Sequence, residues 1–269
     1  MTEDFLLNTK SSFDKIAEKY DERDNANEIL QWMRGIVHNV YIQNFYESEN
    51  ILELNCGTGE DALFFASQGM KVFATDLSPE MVKIAQNKAI NAGFDDVIET
   101  KALSFNEINL VDRKDFNGIV SNFGGLNCIN DFNNLEKDLA EKLIPGGKFI
   151  AVVMNKFCPW EIFYYTLRLD FKNAFRRFTK KGIEANLSGE NVITFYYFPK
   201  EFGKRFSNQF EVEKIYSLGV FTPPPYLIGI YRRFKPIVKI FMTIDKAIKN
   251  IFPFNRIGDH FIIVMRKIS

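Results

Sequence analysis

Gly57-Thr58-Gly59-Glu60-Asp61-Ala62 sets two glycines and a small residue at the spacing of a ligand-cradling loop. Glycines there let the backbone approach a ligand without a Cβ in the way. A helix opening at this point would also offer unpaired N–H groups. Seventeen residues after Gly59, Asp76 closes the next apolar run, where a carboxylate can accept from both hydroxyls of a ribose. An adenosine-like ligand fits this pair of features, but the loop alone does not say whether hydride or another group is moved. Glu60 and Asp61 are awkward neighbours for a pyrophosphate and tolerable ones for a ligand carrying sulfonium and ammonium charges.

Several elements must hold that loop. "NILEL" (50–54) reads as a buried strand, "EDALFFASQG" as a helix closed by Gly69, and "KVFATD" (71–76) as the next strand. "SPEMVKIAQNKAINAG" is a helix with Ser78 as N-cap, Pro79 at its first position and Gly93 at its end. "VIETKAL", "FNGIVSNF" (116–123) and "KFIAVVM" are strand-like; "FNNLEKDLAEKL" is helical and "PGG" (145–147) a turn. The alternation predicts an α/β fold, a doubly wound parallel sheet with helices on both faces. Such sheets bind ligands beyond the carboxyl ends of their strands.

Upstream, Phe13, Ile16, Ala17 and Tyr20, then Ile29, Met33, Ile36 and Val40, recur at helical spacing, so residues 10–48 are expected as an N-terminal helical cap on a core at 49–155. Past residue 155 the alternation loosens. "WEIFYYTLRLDFKNAFRRF" reads as one helix, "ITFYYF" as a strand and "PKEFGKRFSN" as a short helix. Residues 156–198 and 222–257 are expected as substrate-side insertions beside closing strands at 209–221 and 260–268, all within one domain. In the second insertion Ile237, Phe241, Ile244, Ile248 and Ile251 share one helical face, and Lys235, Lys239, Lys246 and Lys249 another. A lid helix packed on the domain is expected there, with peripheral membrane or lipid contact through 235–252 and a partner helix as the other readings.

The series "FDKIAEKYD" (13–21), "ILELNCGTGEDA" (51–62), "VFATDLSPEMVKIAQNKA" (72–89), "FNGIVSNFGGLNCI" (116–129) and "LIPGGKFIAVV" (143–153) resembles the class I S-adenosylmethionine-dependent methyltransferases. The resemblance covers roughly residues 10–155 and extends more weakly to "FYYFPKEFGKRFSNQFEVEKIYSLGVF". It implies a Rossmann-like, seven-stranded, mostly parallel sheet whose last strand is antiparallel, with "FEVEKIYSLGVF" and "HFIIVMRK" as the closing pair. It implies S-adenosyl-L-methionine as cofactor, with Glu53, Asn55, Gly57 and Gly59 along its methionine part. Asp76 would bind the ribose, and Leu77, with Met81, would flank the adenine. Tyr20 matches the family's N-terminal aromatic, and Asn122 and Phe123 stand at the boundary between cofactor and acceptor. Two positions depart from the pattern. Asn55 stands where the family usually has glycine. Ala102, Leu103 and Ser104 follow the third strand, where the family often has an acid for the adenine amino group.

The chain has two histidines. His38 lies in the N-terminal helical region and reads as structural or exposed. His260 opens the last strand; if that strand is antiparallel, Asp259 and His260 reach the ligand edge, where a base can take the proton of a hydroxyl acceptor. Glu161 could orient an acceptor amine or hydroxyl, or cap its helix. His260 and Glu161 are therefore the catalytic candidates. Arg168, Arg176, Arg177, Lys180 and Lys181 form a basic run that reads as a solvated face or a site for an acidic substrate.

Thirty-four basic residues balance thirty-four acidic ones, which gives no general attraction to nucleic acid. Three cysteines, Cys56, Cys128 and Cys158, show no zinc or redox spacing, so reduced thiols and a cytoplasmic protein are expected, with no metal. The acidic, polar N-terminus does not read as a signal peptide, and no run of about 18 apolar residues occurs. The 28 phenylalanines suit a Phe-rich core or an apolar ligand site. Methyl transfer from S-adenosylmethionine to the oxygen or nitrogen of a small, partly apolar acceptor is the expected function. The alternatives are an NAD-dependent oxidoreductase and a non-catalytic, cofactor-binding regulator. The sequence is silent on oligomeric state.

Overall fold

The computed structural model describes residues 3–132, 134–187 and 190–268. In chain order the helices and strands are α1 (Glu3–Asn25), α2 (Glu28–Ile42), β1 (Asn50–Leu54), α3 (Glu60–Ser67), β2 (Lys71–Asp76), α4 (Pro79–Ala92), β3 (Ile98–Ala102), β4 (Phe116–Ser121), α5 (Leu135–Lys142), β5 (Leu143–Met154), α6 (Pro159–Thr166), α7 (Phe171–Ala174), β6 (Ile183–Leu187), β7 (Glu190–Thr194), α8 (Pro199–Lys204), β8 (Phe210–Leu218), α9 (Ile228–Arg233), α10 (Lys235–Ile248) and β9 (His260–Lys267). Seven strands form one sheet in the order β3-β2-β1-β4-β5-β9-β8. β1 to β5 are parallel, and β9 runs antiparallel between β5 and β8.

Period-two alternation divides the core between the two faces of the sheet. On β5, Ile150 and Val152 join one buried cluster with α2, α3 and α4, while Phe149, Ala151 and Val153 join the other with α5 and α8. The second cluster accounts for much of the phenylalanine. Phe132, Phe149, Phe202 and Phe206 meet edge to face or tilted, with ring centroids 5.2–5.7 Å apart, the geometry aromatic quadrupoles favour. Local signals act as their chemistry requires. The Ser78 hydroxyl accepts from the Met81 N–H at 3.1 Å, and Gly93 ends α4 in the left-handed conformation.

Four expectations differ from the structure. "PGG" at 145–147 is not a free turn: β5 runs through it, and the register with β4 shifts between Phe116 and Gly118 to absorb the irregularity. "WEIFYYTLRLDFKNAFRRF" breaks into α6, α7 and a 3-10 turn, with Leu169 at φ 57° interrupting the helix. "ITFYYF" is only partly strand: β7 ends at Thr194, and with β6 it forms a two-stranded hairpin apart from the main sheet. The helix over 132–143 starts only at Leu135, and Asn133 lies outside the described residues.

Gly118 of β4 faces the Phe45 ring so closely that a Cβ would come within 2.2 Å of it. Gly118→Ala is therefore expected to destabilise the protein by about 1–3 kcal/mol through overpacking. Urea denaturation checks this; an unchanged midpoint would mean that Phe45 has room to move.

Candidate functional site

A cavity of about 340 Å³ opens beyond the carboxyl ends of β1, β2, β3 and β4. Its floor is the sheet edge: Glu53 and Asn55 from β1 and the loop after it, Asp76 and Leu77 after β2, Leu103 and Ser104 after β3, Asn122 and Phe123 after β4. Its roof comes from two elements, α1 with Leu6, Thr9, Phe13 and Tyr20, and the hairpin β6–β7 with Ala185, Val192 and Thr194.

The glycine loop owes its shape to backbone geometry. Gly57 and Gly59 have φ of 55° and 84°. A Cβ on Gly59 would stand 2.9 Å from that of Ala85, so this glycine lets α3 close on α4. Gly59 is not part of the cavity wall; it positions the loop. Asn55, in place of the family's glycine, adopts φ 47°, which asparagine tolerates better than most residues. Its amide donates to the Asn122 carbonyl at 2.7 Å and accepts from the Ser121 hydroxyl at 2.6 Å. A side chain on Gly125 would collide with it at 2.2 Å. The Asn55 side chain thus cross-links the end of β1 to the end of β4.

Asp76 is buried, and its two oxygens accept the N–H groups of Gly57 and Ser78, each at 2.9 Å. Burial pushes its carboxyl up to about 6, against the pull of those N–H groups. Glu53 is also buried, and burial, with repulsion from Asp61, holds its carboxyl well above the usual range. Its Oε2 has no hydrogen-bond partner.

Asp61, in the first turn of α3, gathers several elements. One oxygen accepts from Arg34 Nη1 at 2.8 Å and lies 2.7 Å from His38 Nε2, both on α2; the other accepts from the Asn122 amide. Burial opposes its charge, but Arg34, His38 and Asn122 overcome it and hold the carboxyl well below the ordinary value. The Arg34 guanidinium lies 5.1 Å over the Phe123 ring, and its Nε is buried without a partner. His38, expected as structural or exposed, is half-buried and stacks on Phe64 at 3.7 Å. α1 is latched over the loop by side chains: Thr58 donates to Asp21, Ser78 donates to Asp14, and Lys88 bridges Asp21 and Glu60.

Tyr20, Glu53, Asn55, Gly57, Asp76, Leu77, Met81, Leu103, Asn122 and Phe123 thus come together around the cavity. The two catalytic candidates do not reach it. Both oxygens of the buried Glu161 are taken by Arg176 and Arg177, and Arg177 also binds Asp259 at 2.6 Å. That ion cluster, not a solvated face, is where two members of the basic run end. His260 does open β9 opposite Met154, at the expected sheet edge. However, it lies behind Phe123, with ring centroids 6.0 Å apart, and its Nδ1 stands 2.9 Å from Asp259 Oδ2 without hydrogen-bond alignment. Cys56 and Cys128 line the cavity with thiols raised chiefly by burial, Cys128 to about 12, and so are not nucleophiles. Among the described residues, no group of three or more His, Cys, Asp or Glu side chains could hold a metal ion.

Arg34 and the hairpin were not expected at the site. The signal for Arg34 was its spacing from His38, one turn apart on one helix face. Nothing local in "IEANL" announced a roof.

Residues 51–147 match the sequence model of a family described as Methyltransferase domain. The chain is similar to the demethylmenaquinone methyltransferase of Symbiobacterium thermophilum, 27% identical over 147 residues that cover 54% of this chain and 58% of that protein. The match therefore spans little more than half of that relative's length. Among solved structures, the (4+2)-cyclase SpnF superposes with a TM-score of 0.64 at 13% identity, over 97% of this chain and 96% of that one. A SAM-dependent methyltransferase from Methanosarcina mazei superposes with a TM-score of 0.57 at 19% identity, over 87% and 97%. At those identities the likeness is one of fold.

Asp61→Ala would strand Arg34 as an uncompensated buried charge and is expected to cost about 3–5 kcal/mol of stability. Asp21→Ala, at the partly exposed edge of α1, is expected to cost about 1 kcal/mol or less. Denaturant titration of both variants checks the pair; equal losses would show that Asp61 is not the central tie.

Proposed function

We propose that this chain is a class I S-adenosylmethionine-dependent methyltransferase that transfers a methyl group to a small, partly apolar acceptor, a reading supported by the match of residues 51–147 to a methyltransferase family and by the fold. The observation that carries the cofactor assignment is the carboxyl-rich lining of the cavity wall. Asp21, Asp24, Glu53, Glu60, Asp61 and Asp76 line it, and Arg34 is the basic residue among them. A pyrophosphate would face these acids at the start of α3, whereas a cationic ligand is favoured by them. This weighs against the nicotinamide alternative.

The residues fit the cofactor group by group. Glu53 Oε2, an acceptor, and Arg34 Nε, a donor, both have unmade hydrogen bonds, suited to the ammonium and carboxylate of an amino-acid moiety. Asp76, steadied by two backbone N–H groups, keeps lone pairs for ribose hydroxyls. Leu77, Met81 and Leu103 offer an apolar slot for a base. Leu103 and Ser104 stand where the family often has an acid, so the adenine edge would meet backbone groups or the Ser104 hydroxyl. When bound, the cofactor supplies an activated methyl on a sulfonium. The chain's own part would then be to align two ligands and exclude water, with the α1 roof and the hairpin as the covering elements.

Phe13, Phe105, Ile129 and Val192 give the remaining wall an apolar character, which supports an acceptor with an apolar part. The relative's name, demethylmenaquinone methyltransferase, accords with such an acceptor. Neither His260 nor Glu161 lines the cavity, so the acceptor's proton is not assigned to either of them.

Parallel calorimetric titration with S-adenosylmethionine, S-adenosylhomocysteine and NAD tests the assignment. The first two are expected to bind and NAD to remain silent; NAD binding alone would overturn it. Asp76→Ala should weaken S-adenosylmethionine by about 1–3 kcal/mol.

The pH dependence has a definite sign. Because the Asp76 carboxyl is raised to about 6, its protonated form adds stability at low pH that is lost as pH rises through about 6. The ligand favours the ionised form, so affinity should be greatest above that pH and fall below it. Titrations across this range should show the step in the native protein and lose it in Asp76→Asn; a flat native profile would contradict the role given to Asp76.

A further inference from the structure

We propose that α10 and the turns at its two ends dock on an anionic lipid bilayer. α10 packs on the domain through a narrow stripe, Val238, Met242 and Asp245, which are buried. Asp245 fixes this orientation: its carboxylate accepts the N–H groups of Phe221 at 2.9 Å and Thr222 at 2.8 Å, at the end of β8. The helix therefore cannot turn its other apolar side inward without leaving those N–H groups unpaired.

That other side is exposed. Ile237, Ile240 and Ile244 follow helical spacing and remain 51%, 60% and 39% accessible, and Phe252, just beyond the helix, is 76% accessible. The sequence predicted an apolar face including Ile237 and Ile244 turned toward the domain as a lid; the structure turns these residues outward. Contiguous exposed apolar side chains of this kind mark an interaction surface.

Charge selects the occupant. Segment 222–256 carries Arg232, Arg233, Lys235, Lys239, Lys246, Lys249 and Arg256 against one acid, Asp245, which is buried in its backbone contacts. The whole chain is neutral, so this is a local concentration of positive charge. Lys239 and Lys246 flank the exposed surface on the edge away from the isoleucines, where long stems let their ammonium groups reach headgroups. A second copy would set this cationic surface against itself. A bilayer bearing anionic headgroups satisfies both the apolar stripe and the charge. Among the described residues no helix is long and apolar enough to cross a membrane, so the contact is with a surface.

The test is co-sedimentation of the full chain with phosphatidylcholine vesicles and with vesicles of phosphatidylcholine and phosphatidylglycerol in equal parts. The native protein should sediment with the anionic vesicles and be released by salt. Ile240→Ser/Ile244→Ser and Lys239→Glu/Lys246→Glu should each lower partition by on the order of tenfold or more. Titration with S-adenosylmethionine on the same variants keeps this result separate from the methyltransferase assignment, since neither pair touches the cavity. No sedimentation of native protein, or partition unchanged in both variants, would overturn the proposal. So would lipid-free dimerisation of the native chain that Ile240→Ser/Ile244→Ser abolishes, because the surface would then belong to a second copy.

Discussion

One buried carboxylate, Asp61, ties together the parts from which the cavity is made. It reaches α2 through Arg34 and His38, the loop after β4 through Asn122, and it belongs to α3 itself. Burying a charge is costly unless it is paired and hydrogen-bonded, and here every partner is polar and geometrically fixed. The same contacts place Arg34 over Phe123 and fix it in the cavity wall, with its Nε left unpaired. Support of the wall and presentation of its positive group are thus a single interaction.

Around that tie, the wall is arranged against its own electrostatics. Glu53 and Asp76 are driven toward their neutral forms by burial, while Asp61 remains ionised. Three carboxyl groups within one cavity can coexist because their partners differ: a guanidinium for one, backbone N–H groups for another, and for Glu53 an oxygen left without a partner. A cationic ligand relieves this tension, and a polyanion would add to it.

The parts of this architecture governed by local rules were legible in the sequence. Gly57, Gly59, Ser78, Pro79 and Gly93 announce a strand–loop–helix unit because each meets a backbone requirement that few other residues meet. Asp76 followed from its place at the end of a strand. The departures arose where distant residues decide. Nothing in "WEIFYYTLRLDFKNAFRRF" shows that Glu161 must pair with Arg176 and Arg177, because that contact depends on a break in the helix. His260 reached the expected edge, but the intervening Phe123 ring depends on a loop more than a hundred residues earlier. In α10, helical periodicity identified an amphipathic segment, but which side packs was settled by the contact of Asp245 with Phe221 and Thr222.

The position of β9 has a consequence for how the molecule comes into being. It follows β8 in sequence, yet it lies between β5 and β8, and β8 has no other neighbour in the sheet among the described residues. During synthesis β8 must wait, its backbone groups unpaired, while the intervening segment is made. Non-local pairing of this sort closes late and leaves hydrophobic edges open meanwhile. Until β9 inserts, β5 is an edge of the parallel sheet and β8 is detached from it, so a single strand completes both pairings at once.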